Sequence, residues 1–390
     1  MASSKLHQLL DEQSTHKHFI EYRVFLSNHL AHGIIALHKL GATDDDLQAF
    51  VSRYIPRLEA AKDHQEPDAS AVHPDKPAYI AELLGQRKDF YFLLREYQER
   101  LQKQYGGKLD AFVRGEFAQL ADGLHCAALH PLIHTGYGLS VGSATIVVEG
   151  LAYLHFSHMR TRPIPRDGSE RCVDIFDALK RLKESTGLMA KVKSYAAVKT
   201  FMPGITGEFQ RFVGVLCSHP YVRSQVQLLV ESLQLPAWFN LADASVSDVR
   251  RLMDTVLHWA LTVYACAEKR NDFFLLHGVT GAWSLLQVLQ TYTDPLPAFD
   301  VVQTYIATLF AAYMAQGCPA LQLEYLQAAP ANTSSMDELC QEARGLTVDE
   351  HVYKLVQVCY DLSQQHSEPD NITLYKVACR CAMDHPLPNF

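Results

Sequence analysis

Apolar residues recur at intervals of three and four along most of this chain, the pattern of helices that bury one face. In YRVFLSNHLAHGIIALHKLG, residues Phe25, Leu26, Leu30, Ile34 and Leu37 share one broad face, and Gly41 ends the run. TDDDLQAFVSRYIPRL follows, with Thr43 as the expected N-cap and acids in the first turn, where they meet the positive end of the helix. SVSDVRRLMDTVLHWALTVYACAEK opens with Ser245 and Asp248, and TVDEHVYKLVQVCYDLSQQ opens with Thr347 and Glu350, both at capping-box spacing. Alternating runs of strand type are nearly absent. ATIVVEG is the best candidate, but it continues into LAYLHFSHM, which reads better as helix. The expected fold class is mostly α.

Four segments rich in Pro, Asp, Ser or Asn read as loops: AKDHQEPDASAVHPDKP, TRPIPRDGSE, TYTDPLPAFD and AAPANTSSMDE. None has the length or composition of an interdomain linker, and no repeat of fixed period is found. A 390-residue chain that is 48% hydrophobic has ample material for one large core. A single multi-helix domain over residues 1–390 is expected, with residues 1–15 and the 60–78 loop at its periphery.

The formal net charge of -8 and the lack of any Lys/Arg-rich run argue against nucleic acid as a partner. The nine cysteines are scattered and none forms a CxxC pair, so reduced thiols are the better reading. MASSKLHQLLDEQ lacks the apolar stretch of a signal peptide, and no run of about 18 apolar residues stands out as a membrane span. A cytoplasmic protein with no membrane partner is the expectation.

The chemistry concentrates in histidines set among apolar residues. SNHLAHGIIAL carries His29 and His32 at i,i+3. LHPLIHTGYG carries His130 and His134 at i,i+4, with Pro131 suited to a first helical turn. NDFFLLHGVTGAW carries His277. Side chains at these spacings point the same way, and a neutral imidazole is a good ligand for iron, zinc, copper or nickel. Core histidines satisfied by their neighbours are the competing reading. Lys376 in ITLYKVACRCA also lies in an apolar setting. Glu149 in VVEGLAYL and Asp272 in NDFFLLHG could each orient a histidine or act as a base, or simply cap a helix. None of the histidine motifs carries an HxD spacing, GYGLSVG lacks the GxGxxG pattern, and there is no P-loop.

Taken in order, NHLAHGIIALHKLGA, HPLIHTGYG, EGLAYLHF, NDFFLLHGVTGAW and LYKVACRCA resemble the questin oxidase-like family, over about residues 28–382. The resemblance implies an oxidoreductase that oxidatively opens a ring of an anthraquinone-type aromatic polyketide with O2. It implies either an NADPH-dependent Baeyer–Villiger-type monooxygenase or a non-haem iron dioxygenase. In the second case Fe(II) is held by four histidines and a lysine carboxylated by CO2. Carried over, the ligands are His130, His134, His277, one of His29 and His32 with His32 preferred, and Lys376 as a carbamate. Glu149 and Asp272 are the candidate catalytic acids. The partners are then a small aromatic substrate and O2.

Overall fold

The computed structural model describes residues 4–23, 25–64, 76–161, 164, 173–197, 211, 213–215, 219–328, 334–347, 349–385 and 387. Its helices are α1 (Ser4–Glu12), α2 (Leu30–Lys39), α3 (Asp44–Tyr54), α4 (Lys76–Leu83), α5 (Phe90–Lys103), α6 (Leu109–Leu120), α7 (His130–Val141), α8 (Ala144–Ser157) and α9 (Ile175–Glu184). The chain continues with α10 (Thr186–Ala197), α11 (Pro220–Ser232), α12 (Val246–Cys266), α13 (Phe273–Leu289), α14 (Pro295–Ala315), α15 (Glu324–Ala328), α16 (Met336–Gly345), α17 (Glu350–Ser363) and α18 (Pro369–Asp384). The described strands are β1 (Glu21–Tyr22) and β2 (Leu26–Ser27), an antiparallel pair with Glu21 opposite Ser27. The fold is mostly α, and ATIVVEGLAYLHFS is helix throughout as α8.

Local signals explain most of the boundaries. Thr43 and Ser245 complete capping boxes with Asp46 and Asp248. Gly41 takes φ +82 just past α2, which only glycine does without strain. Four expectations change. The periodic run beginning at Tyr22 starts as a hairpin, which leaves Phe25 38% exposed, and its helix begins only at Leu30. Asp349 rather than Thr347 caps α17, accepting from His351 N. TYTDPLPAFD is mostly the first turns of α14, because Asp294 caps it and Pro295 fits its N-terminus. The N-terminal segment is not peripheral, since Leu6, Leu9 and Leu10 are fully buried. Much of the 60–78 and TRPIPRDGSE loops lies outside the described residues.

The centre of the fold is α7, packed on α8 at one side and α13 at the other. Small residues set these crossings. A Cβ added to Gly136 would lie 2.4 Å from Ser284 Cβ and 2.5 Å from its Cα on α13. At Gly150 of α8 it would meet Thr135 N of α7 at 2.7 Å. The glycines of GYG therefore allow close helix packing, which a nucleotide loop would not need. Among the described residues α14 alone is long and apolar enough to cross a membrane, and Phe299, Val302, Tyr305 and Phe310 bury it in the core. Cys126, Cys266, Cys318, Cys340, Cys359, Cys379 and Cys381 are buried free thiols; Cys172 and Cys217 lie outside the described residues.

Gly136→Ala is expected to destabilise the fold by about 1–3 kcal/mol, because the new methyl overlaps backbone that has no room to move. Gly345→Ala meets nothing within 4 Å and is expected to be near neutral. Denaturant unfolding of the two variants checks the contrast; equal stabilities would contradict the packing at α7–α13.

Candidate metal centre

Four histidines from four elements meet in the interior. His29 sits at the N-cap of α2, His130 begins α7, His277 lies on the second turn of α13, and His351 is in the first turn of α17. All four are at most 6% exposed, and one ring nitrogen from each lies within 4.8 Å of every other. His29 stacks on His130 at 4.6 Å between ring centroids, and His351 is 4.5 Å from His29 and 4.9 Å from His277. His130 enters α7 from a tight left-handed turn in which Ala127, Ala128 and Leu129 all have positive φ. Non-glycine residues adopt that conformation at a cost, and such strain clusters at functional sites. Here the turn aims the Ala127 carbonyl at the ring of His130.

Each ring is pinned through Nδ1. His130 Nδ1 donates to Ala127 O, and His277 Nδ1 to Phe273 O at 2.6 Å. His29 Nδ1 bonds Glu350 Oε1 at 2.8 Å, and His351 Nδ1 bonds Asp349 Oδ1. A carbonyl only accepts, so Nδ1 of His130 and His277 must carry the proton. Their Nε2 atoms are then bare lone pairs, and these face each other at 3.0 Å. The Nε2 atoms of His29 and His351 are buried with no partner. Lone pairs so arranged repel unless a cation lies among them.

A proton does not fill that place near neutral pH. Burial holds the imidazoles of His29, His130 and His277 well below 6.5, and that of His351 at about 4; the charge of nearby Lys354 adds to each shift. A metal ion would satisfy all four nitrogens, with the carbonyls and carboxylates already fixing the ring orientations behind it. Lys354 is wholly buried, its Nζ has no partner, and burial lowers its ammonium to about 8. Burial also pushes the Glu350 carboxyl up to about 7, with the charge of Asp349 adding to the effect.

A second chain of groups runs beside this cluster. Glu149 Oε1 accepts from Thr15 N at 2.7 Å and Thr15 Oγ1 at 2.8 Å, and its Oε2 accepts from His134 Nε2 at 2.9 Å. With its proton on Nε2, His134 offers Nδ1 as acceptor to His32 Nε2 at 3.0 Å. His32 Nδ1 is left as a bare, buried lone pair. Its ring stands 5.4 Å from that of His29.

The structure therefore brings His130 and His277 together with His29 rather than the preferred His32, and sets His32 and His134 aside in the adjoining chain. Glu149 belongs to that chain. Asp272 is a helix cap: its Oδ1 accepts from Phe274 N and Leu275 N at 3.0 Å, and Lys269 Nζ lies 3.2 Å from Oδ2. Lys376 is half-buried on α18, where its charge bears on Glu338 of α16; the lysine acting on the histidines is Lys354. His351 and Lys354 are the residues that sequence reasoning missed. Their i,i+3 spacing in HVYKLV on an apolar helix was the available signal. Gly138-Leu139-Ser140-Val141-Gly142 has GxSxG lettering, but Ser140 lies in the last turn of α7 and donates to Tyr137 O, with no strand ahead of it. It is not a nucleophile elbow.

A mostly helical fold around a buried, four-imidazole pocket suited to a metal ion defines the class of protein. The sequence profile of the questin oxidase-like family matches residues 26–359, and this chain belongs to that family. A curated relative, questin oxidase from Aspergillus fumigatus, is 23% identical over 389 residues, covering 90% of this chain and 79% of its own length.

Because the unfolded chain protonates these histidines near pH 6.5 and the folded chain resists doing so, stability is kept above pH 6.5 and lost as pH falls below it. Each imidazole contributes a slope of up to about 1.4 kcal/mol per pH unit in that window. Metal-free protein is expected to unfold at steeply lower denaturant concentration between pH 6.5 and 5.5. A flat profile there would show that the cluster is not held neutral.

Proposed function

We propose that this protein is a non-haem iron oxygenase that cleaves a C–C bond next to a carbonyl in an aromatic, polyketide-type substrate. Membership of the questin oxidase-like family supports an oxidoreductase of this substrate class. The observation that carries the metal is the facing pair of Nε2 lone pairs on His130 and His277, 3.0 Å apart, in a pocket that holds no proton near neutral pH.

His29, His130, His277 and His351 would hold the ion, with Lys354 as the fifth donor. Ammonium at Lys354 would repel a cation, but burial lowers it to about 8, which brings the free amine within reach near neutral pH. Addition of CO2 to that amine forms an N–C bond, releases one proton and leaves an anionic oxygen donor. The lysine carbamate expected at Lys376 is thus reassigned to Lys354. Iron(II) in this setting supplies the electrons that let O2 react with a closed-shell organic molecule.

The chain's own groups do the rest. The Phe273 ring, 4.5 Å from His277 and 4.7 Å from His351, gives a flat aromatic substrate an apolar face to lie against. The chain from Thr15 through Glu149 and His134 fixes His32 with Nδ1 bare, ready to accept a hydrogen bond from a ring hydroxyl of the substrate. Glu149 is thereby a positioning residue. If both oxygen atoms enter the product, no outside reductant is consumed. If one leaves as water, two electrons must come from a donor such as NADPH.

Metal analysis of protein purified without a histidine tag and loaded anaerobically with Fe(II) tests this reading. One iron per chain at the centre is expected in the wild type and in Lys376→Ala, with loss in His277→Ala and Lys354→Ala. Retention of iron in both of the last two would overturn the assignment. Glu149→Ala is expected to keep iron while lowering kcat for O2 uptake by about 100-fold. Uptake measured with and without NADPH separates the two oxygen balances.

A further inference from the structure

A second set of metal-binding side chains lies at the opposite end of α17 from His351. Asp254 and His258 are four residues apart on α12 and share one face. His366 follows the last turn of α17, its N–H still donating to Leu362 O at 2.9 Å, and Pro369 begins α18 three residues on. Fifteen residues of mostly helical rise separate His366 from His351, about 20 Å.

His366 Nε2 lies 3.0 Å from Asp254 Oδ2, and His258 Nδ1 lies 3.8 Å from the same oxygen. The two imidazole rings are 4.9 Å apart. His258 Nδ1 also donates to Asp254 O at 2.9 Å, the same backward hydrogen bond that pins His277, and this leaves Nε2 as its lone pair. The Tyr375 hydroxyl from α18 meets that lone pair at 2.6 Å. Glu368, which precedes α18, adds a further negative charge facing both imidazoles.

No lysine or arginine pairs with Asp254 among the described residues. Arg250 is committed to the carbonyls of Leu289, Gln290 and Tyr292, and Arg251 lies over the Trp238 ring. The carboxylate is met by imidazoles alone. The three side chains are 18–26% exposed, so a water can complete a coordination shell.

We propose that Asp254, His258 and His366 form a second metal site, taking a divalent transition ion of the zinc type and clamping α12 to the turn between α17 and α18. Two nitrogens and one carboxylate oxygen suit such an ion and not magnesium or calcium. Bonds of about 2.0–2.1 Å in a tetrahedral shell place donors about 3.3 Å apart. The Asp254–His366 pair already stands near that spacing. His258 Nδ1, 3.8 Å from the same carboxylate oxygen, joins by giving up its hydrogen bond to Asp254 O, with the ring proton then on Nε2 and donated to the Tyr375 hydroxyl.

The test is a Zn2+ titration of the full chain, without a histidine tag, against a chromophoric competing chelator. The wild type is expected to bind one zinc more per chain than His366→Gln or Asp254→Asn. His130→Ala, which disables the buried centre, is expected to keep the extra zinc, so the two sites are judged separately. Equal zinc counts in the wild type and both outer-site variants overturn the proposal. Should those variants fail to fold, Zn2+ protection of His258 and His366 from carbethoxylation in the wild type decides. No protection overturns it as well.

Discussion

Four hydrogen bonds from Nδ1 fix what the centre of this molecule can do. Left to themselves, buried neutral histidines choose the tautomer that satisfies both nitrogens. Here the Ala127 and Phe273 carbonyls and the carboxylates of Glu350 and Asp349 take the Nδ1 side of all four rings. The Nε2 side is left with lone pairs converging on one small volume. An apolar interior makes unpartnered acceptors costly, about 1–3 kcal/mol each. A fold that keeps four of them together has a place a cation could fill, and burial holds the imidazoles themselves below the range where they take up protons near neutral pH. The glycine-lined crossings of α7 with α8 and α13 are part of the same arrangement. They bring the helices carrying His130 and His277 close enough for their rings to touch.

The surroundings lean away from charge in the same manner. Burial raises the carboxyl of Glu350 and lowers the ammonium of Lys354, so both are pushed toward their neutral forms. Arg57 stands 3.6 Å from Glu350 Oε2 and is half exposed, so it screens the carboxyl only weakly. An ion entering such a pocket displaces protons from the groups around it, which ties its affinity to pH. The N-terminal segment belongs to this arrangement as well. Thr15 gives both its N–H and its hydroxyl to Glu149, and Leu6, Leu9 and Leu10 anchor the preceding helix in the core.

Much of this was legible in the sequence, and the misses have physical reasons. The helices, most caps, and the motifs holding His29, His130 and His277 could be read from periodicity and spacing. The pair His29 and His32 could not be resolved, because residues three apart differ by about 60° around a helix. That difference sends His29 to the cluster and His32 to His134. His130 and His134 look like a bidentate pair by the same rule, yet Pro131 and the left-handed turn place His130 at the very start of α7, where its ring bends back toward Ala127. His351 and Lys354 were hidden inside a segment whose opening resembled a capping box. Glu350 has the right letter for that box, but its carboxylate turns inward to His29, and the neighbouring Asp349 caps instead.

The exchange of Lys376 for Lys354 shows what a local motif leaves out. Both lysines lie on helices of mixed polarity, and composition alone does not separate them. Their surroundings do. Lys376 is half-buried beside the exposed end of α16, where a long side chain can keep its charge in water. Lys354 lies on the second turn of α17, wholly buried near the histidines of α2, α7 and α13, and no carboxylate hydrogen-bonds it. A lysine wholly buried without a partner is among the costliest groups a core can hold, since burial penalises its charged form and its neutral amine still lacks a hydrogen bond. Under the proposed function, conversion of that amine into an anionic oxygen donor beside a metal ion would remove both penalties at once. The site is internally consistent only when the lysine and the histidines are read together.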